Sequence, residues 1–177
     1  MIGQMGIDSG KGGGICFLIN GKTIIIKMPE KPEEIHVFAH EMKRTYGMFV
    51  VFIEKVGVWG SDADAHPGKA FRIAKMLANY NSLITCFRIM RMPIIEVPSR
   101  TWQKDIKLLG YDPKKYKNQK NCWKEFAISR FGSKNINLKT GDACCIAWWG
   151  FQQILTRPDW VIENVINQET KTLFSYE

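Results

Sequence analysis

The sequence has no long apolar runs. None of its apolar stretches reaches the roughly 18–20 residues that a membrane-crossing helix needs. A secretory leader is not expected either, because the start, Met1-Ile-Gly-Gln-Met5-Gly-Ile-Asp8-Ser-Gly10, turns glycine-rich before any basic-then-apolar layout develops. Paired cysteines are also missing. Cys16, Cys86, Cys122, Cys144 and Cys145 include no Cys-x-x-Cys pair, and no histidine stands at metal-finger spacing from them. Each lies in an apolar segment, so small buried hydrophobes in a reducing, cytoplasmic compartment are expected. There is no internal repeat, low-complexity tract or linker. One domain is expected, and 177 residues at 45% apolar are enough for a real core.

Acidic residues are in deficit, and the deficit is local. The chain carries 25 Lys and Arg against 17 Asp and Glu. Eleven of those cations fall between Ser99 and Lys139: Arg100, Lys104, Lys107, Lys114, Lys115, Lys117, Lys120, Lys124, Arg130, Lys134 and Lys139. Only Asp105, Asp112 and Glu125 oppose them there, so this window holds the chain's whole surplus of +8. A concentrated basic stretch suits a polyanionic partner, although a solvated face is the alternative at this point.

Periodicity orders the elements. Gln4–Asp8, Ile15–Ile19 and Lys22–Lys27 read as three strands, the last two joined by the hairpin signal Asn20-Gly21. Ile35, Phe38, Ala39, Met42 and Tyr46 fall at helical spacing, which predicts a helix from Pro32 to Tyr46. Met48–Ile53 reads as a buried strand ending at Glu54. A long helix is expected from Pro67 to Arg91, a strand over Ile94–Val97, and a short helix capped by Ser99. Helices are then expected over Tyr116–Phe131 and Thr140–Leu155. The segment from Arg157 onward carries no clear signal. This order implies an α/β fold whose mixed sheet has helices on its faces.

The candidate chemistry lies at element ends: Asp8 closes the first strand, Glu54 the fourth, and Asp142 opens a helix. Side chains at strand ends escape the packed core. Three carboxylates gathered there repel one another without cations, and hard oxygen donors suit Mg²⁺ or Mn²⁺. Two such ions can activate water and stabilise the leaving oxygen in phosphodiester cleavage. Taken singly, an acid at such a place is more often a cap or turn residue; it is the set, in this order, that points to chemistry.

Four stretches in order carry a family resemblance. They are Gly6-Ile-Asp-Ser-Gly10, Val50-Val-Phe-Ile-Glu-Lys-Val56, Ile95-Glu-Val-Pro-Ser-Arg-Thr-Trp-Gln-Lys104 and Thr140-Gly-Asp-Ala-Cys-Cys-Ile-Ala147. Together they resemble the motifs of the RuvC-like Holliday junction resolvases, nearest to the phage-type members, within the ribonuclease-H-like superfamily. The likeness runs from about Gly6 to Gln153. It implies a ribonuclease-H-like five-stranded sheet, three antiparallel strands then two parallel, over residues 1–156. Residues 157–177 would be a C-terminal extension packing on the same domain. It also implies a homodimeric, Mg²⁺-dependent endodeoxyribonuclease (Mn²⁺ substituting) in the cytoplasm of a bacterial or phage-infected cell. Such an enzyme nicks two strands of a four-way junction symmetrically and needs no small-molecule cofactor. By the same resemblance Asp8 would bridge two metal ions, with Glu54 and Asp142 each holding one. Lys104 and Lys120 would neutralise phosphate charge near the cut. Arg100, Lys107, Lys114, Lys115, Lys117, Lys124 and Lys139 complete the expected DNA-binding set. The long helix from Pro67 would form the dimer interface, and Trp59 would wedge into the junction's opened centre.

The chain departs from the family in three places. Ser99 is an extra residue between Pro98 and Arg100. Lys139 stands near where a further acid or a histidine is usual, and an ammonium is a donor only and cannot ligate a cation. Gly57 replaces a histidine, and Asp62, Asp64 and His66 nearby are substitute ligands or a solvated loop. Other nucleases of the fold, acting on flaps or RNA–DNA hybrids, and a branched-DNA-binding protein that does not cut remain alternatives. The stretch Asp8–Gly14 also resembles the phosphate loop of actin-like kinases, but those chains carry a second such domain, for which this chain is too short.

Overall fold

A computed structural model describes residues 2–57, 67–132 and 135–174, with only the backbone for 67–69 and 167–174. Five strands, β1 (Gly3–Asp8), β2 (Gly14–Ile19), β3 (Lys22–Lys27), β4 (Phe49–Glu54) and β5 (Ile94–Val97), form one sheet in the order β3-β2-β1-β4-β5. β1, β2 and β3 pair antiparallel, while β4 and β5 add in parallel to β1. The helices are α1 (Pro32–Tyr46), α2 (Pro67–Ile89), α3 (Ser99–Leu108), α4 (Gln119–Phe131), α5 (Gly141–Thr156) and α6 (Pro158–Phe174). The expected architecture of three antiparallel strands followed by two parallel ones is observed.

Alternation along each strand divides the core into two layers. Met5, Ile7, Phe17, Phe49, Val51 and Ile53 face α1 and α2. Cys16, Leu18, Val50, Phe52, Ile95 and Val97 face α3, α4 and α5. Trp102 of α3 and Trp123 of α4 are fully buried in this second layer and meet edge to face at 5.3 Å. Burying a side chain of that size contributes about 1.5–3 kcal/mol. Trp102 therefore holds α3 down and turns Arg100, Lys104 and Lys107, spaced along one helical face, to the exterior.

The helix starts of α3 and α4 and the C-terminal segment add to or differ from the sequence reading, and α2 ends at Ile89, two residues before the expected Arg91. Ser99 is the first helical residue of α3, Pro98 occupies the cap position, and no side chain caps the helix. α4 starts at Gln119, three residues later than periodicity predicts. Pro113–Lys115 forms a 3-10 turn, and Asn118 caps α4 by accepting a hydrogen bond from the Asn121 amide. The segment without signal is α6, whose Trp160 packs against Trp149 at 6.0 Å, ring edge to face. Among the described residues no helix is long and apolar enough to cross a membrane.

The tightest junction joins β1 to α5. A Cβ on Gly6 would lie 2.2 Å from the Ala147 nitrogen and 2.4 Å from the Ala143 carbonyl oxygen. Backbone cannot yield as a side-chain tip can, so only glycine allows this approach. One turn further along α5, a Cβ on Gly150 would sit 2.3 Å from the Phe52 ring. Gly6→Ala is expected to cost about 3 kcal/mol or more, lowering Tm by about 10 °C. A thermal melt at fixed protein concentration checks it; a Tm within 2 °C of wild type would contradict the packing described.

Candidate active site

Register brings the first two carboxylates together. β1 and β4 are paired through Ile7–Ile53, and Asp8 and Glu54 stand one step beyond that pair. Both belong to the strand positions that face α3–α5. The α5–Gly6 contact sets the first turn of α5 above the same strand end, which delivers Asp142. The loop after Asp8 folds back at once: the Gly13 amide donates to the Gly10 carbonyl at 2.8 Å, and the Gly10 amide to Asp8 Oδ1 at 3.1 Å.

Lys120, in the first turn of α4, extends its ammonium between two of these acids. Its Nζ lies 3.4 Å from Asp142 Oδ2 and 3.8 Å from Asp8 Oδ2. Half of the Lys120 side chain is exposed, whereas those of Asp8 and Asp142 are 13% and 14% exposed. Burial thus dominates the carboxylates. It pushes Glu54 up to about 7, with repulsion from Asp8 and Asp142 adding to it and Lys120 and a hydrogen bond with Ser99 opposing it. Burial likewise raises Asp142 to about 6 against the pull of Lys120. Asp8 is raised for the same reason, offset by the Gly10 amide and by Lys120. For Lys120 burial works downward, but attraction to Asp142 and Asp8 outweighs it and the group stays a firmer cation than usual.

The donor set fits a hard divalent cation in chemistry. Asp142 Oδ1 is buried with no hydrogen-bond partner, an orphaned acceptor of the kind an ion satisfies. The three acids are neighbours without forming a closed cage. Among the described residues no group of three His, Cys, Asp or Glu side chains could hold an ion as it stands.

The other expected site residues are spread around this centre. Arg100, Lys104 and Lys107 are exposed on α3, Lys114 and Lys115 on the 3-10 turn, and Lys117 on the loop before α4. Lys124 of α4 is half-buried and pairs with Glu125 at 3.3 Å. Among the described residues only Lys120 forms an ion pair with the acids, and Lys104 does not. Lys139 is exposed, its amide donating to Asn137 Oδ1 at 2.8 Å. Trp59, Asp62, Asp64, His66 and Lys134 lie outside the described residues.

Two contributors escaped the sequence reading. Ser99, expected as a helix cap, instead hydrogen-bonds Glu54. Val97 is the register partner of Glu54, so a residue two positions later reaches it. Asn79 of α2 donates to the Ser9 carbonyl at 2.6 Å and ties the loop after Asp8 to the opposite layer. The extra residue in the third motif was a visible signal for Ser99; nothing in the sequence pointed to Asn79.

No protein-family model matches the chain, and no curated protein matches its sequence. Solved structures do. Thermus thermophilus RuvC in complex with Holliday junction substrate aligns with a TM-score of 0.56 over 89% of this chain and 97% of that one, at 14% identity. A second Thermus thermophilus RuvC structure aligns at 0.52 over 86% and 95%, again at 14% identity. The fold is the ribonuclease-H-like fold of RuvC.

Buried, mutually repelling acids carry a stability cost that depends on pH. A raised folded-state pKa means that the folded chain holds protons the unfolded chain releases. Their stabilising effect is complete below about pH 4.5, the ordinary Glu value, and is lost as pH rises through about 7. In EDTA, Glu54→Gln is expected to raise Tm by several degrees at pH 8, on the order of 1–3 kcal/mol. The gain should shrink as pH falls towards 5. Paired melts at the two pH values check this, and an equal effect at both would refute it.

Proposed function

We propose that this chain is a metal-dependent endonuclease that cuts branched DNA, resolving four-way junctions by paired, symmetric nicks. The observation that carries the reading is the convergence of Asp8, Glu54, Asp142 and Lys120 at one sheet end, on the fold of a protein solved with Holliday junction substrate.

Asp8, Glu54 and Asp142 are the residues that would hold divalent ions, with Asp8 shared between two sites; Mg²⁺ is the expected metal and Mn²⁺ its substitute. Such ions supply an activated water and stabilisation of the leaving oxygen. The chain's own groups do the rest. The Lys120 ammonium, standing at the acids, offsets the negative charge of a phosphodiester drawn in beside them. Ser99 holds the Glu54 carboxylate in place. Arg100, Lys104 and Lys107 on one face of α3, with Lys114, Lys115, Lys117 and Lys124, take backbone phosphates. These point charges fix the register of a duplex arm without reading its sequence.

Two nicks at one junction require two active sites, hence a homodimer. Exposed Phe71 and Ile89 on α2 and Val37 on α1 supply apolar surface for a second copy on the face away from α3–α5. A cytoplasmic location accords with this reading.

Incubation with a synthetic four-way junction and a matched linear duplex, in Mg²⁺ or EDTA, tests the proposal. Paired nicks in the junction alone are expected, abolished by EDTA. Asp8→Asn should lower the rate by about a hundredfold or more, as loss of a group that stabilises developing charge does. Tight junction binding with no cutting in either Mg²⁺ or Mn²⁺ would leave a binding protein in place of a nuclease.

A further inference from the structure

The loop that follows Asp8 has two sides. One bears the carboxylates. The other opens into a cleft of about 790 Å³ bordered by Lys11, Lys27, Lys75 and Lys139, with Glu30 as its one acid. These lysines come from four places: the glycine loop, the end of β3, the middle of α2 and the turn before α5. Among the described residues none of the four pairs with a carboxylate; Lys75 makes only a contact at 5.9 Å with the exposed Phe71 ring.

The polar groups that could give the cleft a specific shape are already engaged. Asn79 donates to the Ser9 carbonyl, and the Ser82 hydroxyl donates to the Ala78 carbonyl at 2.9 Å. What remains is a set of ammonium point charges with no planar or bidentate recognition element. Such a set suits a repeating phosphate backbone better than a small anion of fixed shape.

The cleft also lies at the end of the sheet that carries Asp8, bordered by the loop that follows it. Asp8 is in register with Gly14, and Gly14 with Lys27. Two strand spacings of about 4.8 Å put the Lys27 backbone about 10 Å from that of Asp8. That span equals about three nucleotide steps at the ~3.4 Å rise of one strand of B-form DNA. Lys139 stands three residues before Asp142.

We propose that this four-lysine cleft is a second phosphate-backbone site, which holds the DNA strand as it leaves the carboxylates on the side opposite α3 and α4. The inference rests on the DNA-cutting reading for its ligand. Lys139, which lies where a further acid would be expected, then acts as a strand contact instead of a failed ligand.

Binding in EDTA separates this claim from cleavage. Each phosphate contact contributes about 0.9 to the slope of log affinity against log salt. The variant K11Q/K27Q/K75Q should bind a fluorescent four-way junction at least about tenfold more weakly than wild type, with the slope reduced by two to three. The control K22Q/R44Q/R157Q removes the same charge from the far end of the sheet and should leave the slope unchanged. Melting curves verify folding, and if the triple variant melts early, each single substitution should still lower the slope by about 0.9. An unchanged slope, or equal loss in cleft and control variants, would overturn the proposal. Wild-type protein that binds junctions but never cuts them would defeat the nuclease reading and leave the slope test standing. Failure of the wild type to bind any DNA would overturn both.

Discussion

The carboxylate-bearing end of this protein depends on the contact between Gly6 and the backbone of α5. Without a side chain at Gly6, the Ala143–Ala147 turn can lie directly on β1. That depth decides where the first turn of α5 ends up, and hence whether Asp142 reaches the strand end that carries Asp8. Gly150 against the Phe52 ring sets the other end of the helix, so α5 is located at two points along its length. The glycine of the first motif and the alanines of the last are therefore two halves of one packing surface.

Having been brought together, the acids create an electrostatic problem. All three are largely buried, and burial is the leading reason that each holds its proton more tightly than an ordinary carboxyl. One lysine meets the problem in part. Lys120 reaches two of the three acids, and Asp142 Oδ1 keeps no partner. A site left with excess negative charge and an orphaned acceptor favours any further cation that can enter. The buried tryptophans of α3 and α4 brace the elements from which that lysine and the outward-facing cations project, so hydrophobic packing positions the charge.

Ser99 and Lys139, two of the three departures from the resolvase pattern, acquire physical meaning in three dimensions. Ser99 adds a donor for Glu54, two residues beyond that acid's register partner. Lys139 borders one cleft with cations from three other segments. Ser99 thus tunes the acid it adjoins, while Lys139 adds its charge to the cleft and is not among the groups that shift the three acids.

The sequence by itself determined the strands, their order and the three acids. Alternation and helical spacing are local properties, and motifs such as Gly6-Ile-Asp8 and Thr140-Gly-Asp142 are contiguous. The single basic window was legible for the same reason, since charge counted along a chain detects clusters along a chain. Helix starts were less legible: Asn118 and Pro98 decided them through cap geometry that periodicity does not record. Only the tertiary structure decided that Lys120, among the described cations of the window, is the one that meets Asp8 and Asp142. It alone assembled Lys11, Lys27, Lys75 and Lys139 into one cleft and set Asn79 against Ser9. Lys11, Lys27 and Lys75 lie outside the basic window, where positive and negative charges cancel along the chain, so they leave no trace in a count. Their effect arises from proximity across the sheet, a quantity that folding creates and that residue order does not contain.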